Sequence, residues 1–426
     1  MAAAEGPGSN RLLFRNRDYT GWWIGETVSE YGTALSIVAY PLLILYATGS
    51  STSAGVVAAA ESIGGLATML IGGALADRVS RRALMLASSL VQAVVVSTVA
   101  VAVMTGHVYV VHVAVVGLIQ GLAGGLAGGA DFAALRRVVP EDLLPNAFAL
   151  AQGRTWAIRL AGPGSGGLLF GLARWLPFLG DAVSFLASAS GVMLIRAPLG
   201  PDPEEREDGQ EGTGGELESI LASIAGGFRF IRSNAYLRFL TIWVALCNCL
   251  INGLLILVIV LIHSRHGSAT LVGAVSSLGA VGGLLGASVS SRLAKRIPGR
   301  PLVIAVSWMS VAAMVGIALI PNPWAVGALI ALMFVLIAPL NVLFSTYEAR
   351  MIPDALMGRV SSAINFGASS IRWLGPLSAG ALASAFSPST ATLVFAAVQA
   401  AVAASTFIAS GLHVLGRPLD EVTAQG

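Results

Sequence analysis

Apolar runs long enough to cross a lipid bilayer recur along this chain from residue 22 to residue 413. Each crossing needs about 20 largely apolar residues, because backbone amides in hydrocarbon find no water and must be paired inside the helix. Twelve such runs are read near 22–47, 54–76, 82–104, 108–131, 147–170, 174–196, 236–263, 270–291, 301–321, 323–346, 358–384 and 389–413. Only 11% of the 426 residues are charged, too few to clothe a soluble surface. Fifty glycines would weaken soluble helices, but small residues let membrane helices approach one another closely. The expected fold class is all-α integral membrane, with twelve transmembrane helices.

The order of segments gives the expected organisation. Residues 1–18 form an N-terminal tail that does not read as a cleaved signal peptide, and 19–197 a first bundle of six spans. Residues 198–234 are a linker, and 235–414 a second six-span bundle followed by a tail at 415–426. The linker holds Asp202, Glu204, Glu205, Glu207, Asp208 and Glu211 among Gly and Pro, a composition that cannot bury apolar surface. After it, Leu217, Ile220, Leu221, Ile224, Phe228 and Ile231 recur at helical spacing, as in an amphipathic helix lying on a membrane surface. The two cysteines, Cys247 and Cys249, point to different faces of a span and read as core residues.

Cations fall in alternate loops. Arg11, Arg15 and Arg17 precede the first run, Arg78, Arg81 and Arg82 follow the second, and Arg136 and Arg137 the fourth. Arg292, Lys295, Arg296 and Arg300 follow the eighth, and Arg350 and Arg359 the tenth, whereas the opposite loops carry only Arg174 and Arg265. The positive-inside rule then places both termini in the cytoplasm, as an even number of spans requires. The expected location is the cytoplasmic (inner) membrane, multi-pass. Loop topology accounts for the net charge of +3, so no nucleic-acid partner is expected.

The two halves repeat. Arg137, Pro140, Arg159, Gly162, Pro163 and Gly167 each have an identical residue 213 positions later, at Arg350, Pro353, Arg372, Gly375, Pro376 and Gly380. Parallel six-span repeats imply two related bundles with a substrate cavity between them, an arrangement of transporters.

Two motifs sharpen this expectation. Gly73-Ala-Leu75-Ala-Asp77-Arg78-Val-Ser80-Arg81-Arg82, in the loop after the second run, resembles the G-x-L-a-D-R-x-G-R-R signature of the major facilitator superfamily, with Ser80 replacing a glycine. The resemblance implies that this cluster latches the bundles at the cytoplasmic face; positive-inside charge alone would explain the arginines but not Asp77. Gly162-Pro163-Gly164-Ser165-Gly166-Gly167 resembles the G-P-x-x-G-G element of the antiporter branch, and close helix packing is the other reason for such glycines. Gln120-Gly121 resembles an R-x-x-Q-G element tied to proton coupling, yet Gly117 occupies the Arg position.

Asn16-Arg17-Asp18-Tyr19, Pro140-Glu141-Asp142-Leu143 with Asn146-Ala147, Gly227-Phe228-Arg229-Phe230 and Gly358-Arg359-Val360 look like the branch containing macrolide and enterobactin exporters. That resemblance covers nearly the whole chain. It implies export of a bulky, largely apolar small molecule by proton antiport and alternating access. A defined endogenous product, such as a siderophore or lysophospholipid, and a non-transporting receptor or scaffold are the other readings.

Ionisable groups inside spans are unfavourable by roughly 2.5–3.5 kcal/mol or more and mark function by default. Glu26 and Glu30 lie one turn apart on one face of the first span, with Glu61 and Asp181 as further acids and Arg154, Arg159 and Arg372 as embedded cations. They form either static ion pairs or a proton-carrying set, and Glu30 and Glu26 lead the second reading because the first span lines the cavity in this family. Arg159 and Arg372 precede matching Gly-Pro elements and read as structural, and Asp181 and Glu61 are expected toward the outer side, within reach of Arg174 or Arg265. No metal-ligand spacing, phosphate loop or nucleophile–base set is present in the sequence, so the expectation is a cofactor-free transporter rather than an enzyme, and it is separately expected to function as a monomer.

Overall fold

The structure is a computed structural model describing residues 7–197, 199–200, 225–296, 298–409, 412 and 415. Within these, side chains at 7–10, 70, 73, 74, 76–78, 291–296, 354 and 355 fall outside the description. The acidic linker run at 202–211 and positions 217–224 of the amphipathic stretch also lie outside the described residues.

Among the described residues every regular element is helical. The first six runs correspond to α2 (Arg17–Thr48), α3 (Ser51–Arg78), α4 (Arg81–Met104), α5 (Val110–Val138), α6 (Leu144–Leu172) and α7 (Leu176–Leu194), preceded by a short α1 (Pro7–Arg15). After α8 (225–233) come α9 (Ala235–Ser264), α10 (Ala269–Arg296), α11 (Gly299–Leu319), α12 (Pro323–Met351), α13 (Asp354–Ser369), α14 (Leu374–Ala385) and α15 (Pro388–Ile408). Nine of the described helices are long and apolar enough to cross a membrane. Of the remaining runs, α3 and α6 supply two helices of 28 and 29 residues, and the eleventh is divided into α13 and α14.

The division of the eleventh run has a local cause. Pro376 has no N–H, and its ring crowds the carbonyl four residues back, that of Arg372. Between α13 and α14 the backbone closes tight turns instead, with Arg372 N–H on Ser369 O at 3.1 Å and Leu374 N–H on Ile371 O at 3.0 Å. Pro163 holds the matching place in α6, which nevertheless continues through it.

The chain separates into two compact units, Met1–Ala47 with Ala60–Glu211 and Thr48–Ala59 with Gly212–Gly426. In the first, α4 packs on α5 and α7, and α6 on α1 and α7. A core of Leu13, Tyr19, Trp22, Met85, Leu135 and Ile195 joins α1 to the ends of α2, α4, α5 and α7. Asp18 fastens this end: its two carboxylate oxygens accept the Arg196 and Ala197 N–H groups, each at 2.9 Å. In the second unit α10 packs along α12, α9 along α13, α14 and α15, and α11 along α12 and α15. Helix α8 seats Gly227 against the Arg359 and Ala363 turns of α13.

Each unit begins its first span with the same cap. Asn16 Oδ1 accepts the Asp18 and Tyr19 N–H groups at 3.0 and 3.3 Å, and Asn234 Oδ1 accepts those of Tyr236 and Leu237 at 3.0 and 3.1 Å. Such side-chain acceptors satisfy amides that the first helical turn leaves unpaired.

Both units also bring a helix pair to glycine-limited contact: α3 meets α5 through Gly64, Gly72, Gly121 and Gly125, and α10 meets α12 through Gly282 and Gly286. A Cβ on Gly121 would collide with the Glu61 carbonyl oxygen and stand 2.8 Å from Gly65 N, whereas one on Gly124 meets nothing within 4 Å. Gly121→Ala is therefore expected to destabilise by about 1–3 kcal/mol through overpacking. Gly124→Ala, free of that clash, is expected to be neutral or to stabilise by up to about 1 kcal/mol. Thermal melts of the two purified variants make the comparison, and equal melting temperatures would contradict the close crossing.

Candidate functional site

The charged centre of the first unit is built by α2, α5 and α6. Arg154 Nε stands 3.2 Å from Glu30 Oε2, with the arginine side chain only 10% exposed and that of Glu30 31% exposed. The guanidinium carbon lies 5.2 Å from the Trp22 ring centre and 5.0 Å from that of Trp23, so two aromatic faces and one carboxylate hold a single cation. The residues fall together because Trp22, Trp23, Glu26 and Glu30 are spaced at about one turn along α2.

Glu26 lies within electrostatic range of both Arg154 and Glu30. Asp131 on α5 lies within the same range of Glu26 and Arg154. Three carboxylates thus share the field of one guanidinium. Asp131 was not among the acids expected to matter: the fourth run reads as ending at 131, but α5 continues to Val138 and puts that acid about two turns inside the helix.

Asp181 and Glu61 belong to a separate polar group. Asp181 is fully buried, accepting Ser36 Oγ–H at 2.7 Å and Thr33 Oγ1–H at 3.5 Å, while Tyr40 O–H donates to Gln120 Oε1 at 2.6 Å. Gln120 and Glu61 are both neighbours of Asp181. Neither of the expected arginines is among the hydrogen-bond donors described for Asp181. Arg174 covers the Tyr46 ring at 4.7 Å, and Arg265 donates to Ile320 O at 2.7 Å and Ala318 O at 3.3 Å, the terminal carbonyls of α11. Carbonyls at a helix C-terminus carry partial negative charge and attract a nearby cation. Gln120-Gly121 therefore has structural work: the glutamine joins the Asp181 group and the glycine permits the α3–α5 crossing.

The Gly-Pro elements pack each unit's fifth span on its first. A Cβ on Gly162 or Gly166 would strike Ala34 or Leu35 of α2, and one on Gly375 would strike Cys249 and stand 2.9 Å from Gly253 N of α9. Pro163 and the buried Gly167 sit beside these contacts, and Tyr31 O–H donates to Ser165 Oγ at 2.7 Å across the same α2–α6 seam. Gly380, four residues beyond Pro376, abuts Ser51 and Gly55. Arg159 is exposed with its guanidinium carbon 5.7 Å from the Trp156 ring centre, and Arg372 Nε donates to Asn252 Oδ1 at 3.1 Å in the break of the eleventh run.

In the signature loop, Arg82 donates to the Ile195 carbonyl oxygen, and Arg81 is buried with its N–H on Leu199 O at 2.9 Å. The loop is thereby stitched to the end of α7. Gly73, Asp77 and Arg78 have side-chain positions outside the description.

A feature that sequence reasoning missed lies in the second unit. Helices α9, α11, α12 and α15 line a partly open cavity of about 200 Å³. Among the described residues its wall carries Trp243, Phe334, Phe344, Met314 and Met333, interrupted by Asn248, Ser307, Ser310, Asn341 and Gln399, and no Asp, Glu, Lys or Arg. Charge marks a site in an apolar sequence, and this cavity has none.

Two helical units, with nine of the described helices long and apolar enough to cross a membrane and charged groups set among them, define a polytopic α-helical membrane fold. Residues 22–376 match the Major Facilitator Superfamily model, and the chain belongs to that family. It is 26% identical over 373 residues to the multidrug efflux pump Tap of Mycolicibacterium fortuitum, covering 83% of this chain and 86% of Tap. Solved structures share the fold. The nucleoside transporter NupG, in a mutant form, aligns with a TM-score of 0.71 at 12% identity, covering 93% of this chain and 100% of NupG. A bacterial homologue of the lysosomal transporter Spinster aligns at 0.68 and 15% identity, covering 97% and 98%, respectively. A bacterial homologue of the iron transporter ferroportin aligns at 0.66 and 16%, covering 92% and 99%.

Proposed function

We propose that this major facilitator transporter exports bulky, largely apolar small molecules from the cytoplasm by proton antiport through alternating access. The observation that carries the reading is the cluster of Glu26, Glu30 and Asp131 around Arg154 on membrane-length helices. Arg154 pairs with Glu30, which leaves Glu26 and Asp131 as two acids without a dedicated cation among the described residues. A proton is the natural counter-charge for one of them, and exchanging that proton against substrate couples the two flows. The efflux-pump relative supports the outward direction. The alternating cations support insertion in the cytoplasmic membrane with both termini inside.

Everted membrane vesicles loaded by an imposed pH gradient test this, with ethidium as a lipophilic cationic probe. The wild type is expected to accumulate ethidium only while the gradient stands. Glu26→Gln and Asp131→Asn are expected to fall to the level of vesicles without the protein. Undiminished accumulation in both variants would remove these acids from the coupling.

A further inference from the structure

An arginine stands at mid-membrane depth in the second unit with no acid at its level to balance it. Arg372 lies in the break between α13 and α14, about 21 Å of helical rise from Gly358 and about 20 Å from Ala385. Those ends bracket a hydrocarbon layer of about 30 Å, so the residue falls near its centre, where a charge marks function by default. Between residues 235 and 414 the only acids are Glu348 and Asp354. Both flank the turn from α12 to α13, and Asp354 is about 27 Å of helical rise from Arg372.

The other embedded arginines are compensated. Arg154 has Glu30 at 3.2 Å and two indole faces, and Arg159 covers the Trp156 ring. Arg372 has neither an acid nor a ring face among the described contacts. What it has is a set orientation: its Nε donates to Asn252 Oδ1 at 3.1 Å. Asn252 is itself held, its Nδ2 donating to Asn248 O at 2.8 Å, and Asn248 Nδ2 donates to Ala368 O at 3.1 Å. This chain of amides between α9 and α13 pins one edge of the guanidinium and leaves its two Nη groups without an acceptor among the described hydrogen bonds. The side chain is exposed, so those groups are open to an approaching molecule. Two parallel Nη–H donors match the two oxygens of a carboxylate, and interrupted membrane helices are where transporters place such contacts.

We infer that Arg372 binds the carboxylate of an amphiphilic, largely apolar anion, with Asn252 as the positioning residue that sets the guanidinium plane. A lipid phosphate is the poorer match, because headgroups lie at the membrane surface, about 15 Å from the level of Arg372. The inference widens the substrate class proposed above to monoanions and rests on that reading only in this respect. Its residues all belong to the second unit, whereas the proposed coupling acids lie in the first.

Equilibrium dialysis of anthracene-9-carboxylate and of its uncharged amide against the purified full chain, with empty micelles as reference, tests it. The wild type is expected to bind the carboxylate saturably and more tightly than the amide. Arg372→Gln is expected to weaken the carboxylate about 10- to 100-fold, the value of charge-assisted hydrogen bonds, and to leave the amide unchanged. Arg372→Lys keeps the charge without the fork and is expected to fall between. Asn252→Ala is expected to weaken the carboxylate alone, and to have no further effect once Arg372 is Gln, which a general loss of packing would not reproduce. The inference is overturned if the wild type shows no saturable carboxylate binding, or if Arg372→Gln weakens both probes equally or neither. It is overturned too if phosphatidylglycerol displaces the probe as effectively as unlabelled carboxylate does. Should Arg372→Gln not fold, Arg372→Lys and Asn252→Ala carry the same two-probe comparison. The Glu26→Gln, Asp131→Asn double variant is expected to bind the carboxylate as the wild type does, so loss of coupling and loss of this site remain separable.

Discussion

Arg154→Met is expected to cost about 3–5 kcal/mol of stability and to abolish transport, because it strips the cation from three neighbouring carboxylates. The methionine keeps much of the arginine stem and its contact with Trp22 and Trp23, so packing alone accounts for little of the loss. What remains is Glu30 without its partner at 3.2 Å, with Glu26 and Asp131 in the same field. The signature of this cause is rescue: adding Glu30→Gln to Arg154→Met should restore much of the melting temperature without restoring transport. If the double variant melts no higher than Arg154→Met alone, the ion pair is not what the arginine stabilises. Arg159→Met makes the contrast, since that side chain is exposed beside Trp156, and it is expected to melt within about 0.5 kcal/mol of the wild type.

The second large effect separates energised transport from substrate exchange. With Glu26→Gln and Asp131→Asn together, the proton sites are gone but both side chains keep hydrogen-bonding amides of nearly the same shape. Gradient-driven accumulation is expected to vanish, while exchange of labelled for unlabelled substrate across vesicles, which needs no net proton movement, is expected to continue. Measuring both on the same vesicles makes the outcome informative. Loss of exchange together with accumulation would mean that these acids bind substrate or support the fold rather than carry the proton.

Much of this architecture is legible in the sequence because the bilayer imposes a length and a polarity on every span. The 213-residue repeat has a structural counterpart in the shared Asn16 and Asn234 caps and in the Gly-Pro elements that seat α6 on α2 and α14 on α9. The charged centre is legible in part. Glu26, Glu30 and Arg154 stand out because charge within an apolar run is rare. Their meeting is less visible, since the ends of α2 and α6 had to be placed before the depths of Glu30 and Arg154 could be matched.

Asp131 was hidden by a boundary. The two glycines before it and the two arginines after it read as the end of a span, yet α5 carries on through Arg136 and Arg137. The break before Pro376 was hidden for a different reason: Pro163 has the same local chemistry in a helix that stays whole, so local sequence does not distinguish the two. The second unit's cavity left no trace in periodicity. Its wall is written in the same apolar and small polar residues as the packed helices around it, and only the distances between helices reveal it.

Asp181, another buried acid of the first unit, sits in a different setting. Ser36 and Thr33 on α2 supply its hydrogen bonds, and the Tyr40–Gln120 pair extends the group toward α5. Such a satisfied network fixes how helices pack. The Glu26–Asp131 pair has no comparable set of hydroxyl donors among the described hydrogen bonds, and this difference directs the coupling proposal to it.

Proton release from the purified transporter on adding substrate measures the central claim most directly. In weakly buffered detergent solution with a pH-sensitive dye, a saturating transported compound is expected to release protons from the wild type and none from the Glu26→Gln, Asp131→Asn double variant that still binds it. Equal release from both proteins, or no release from the wild type on binding, would contradict the account.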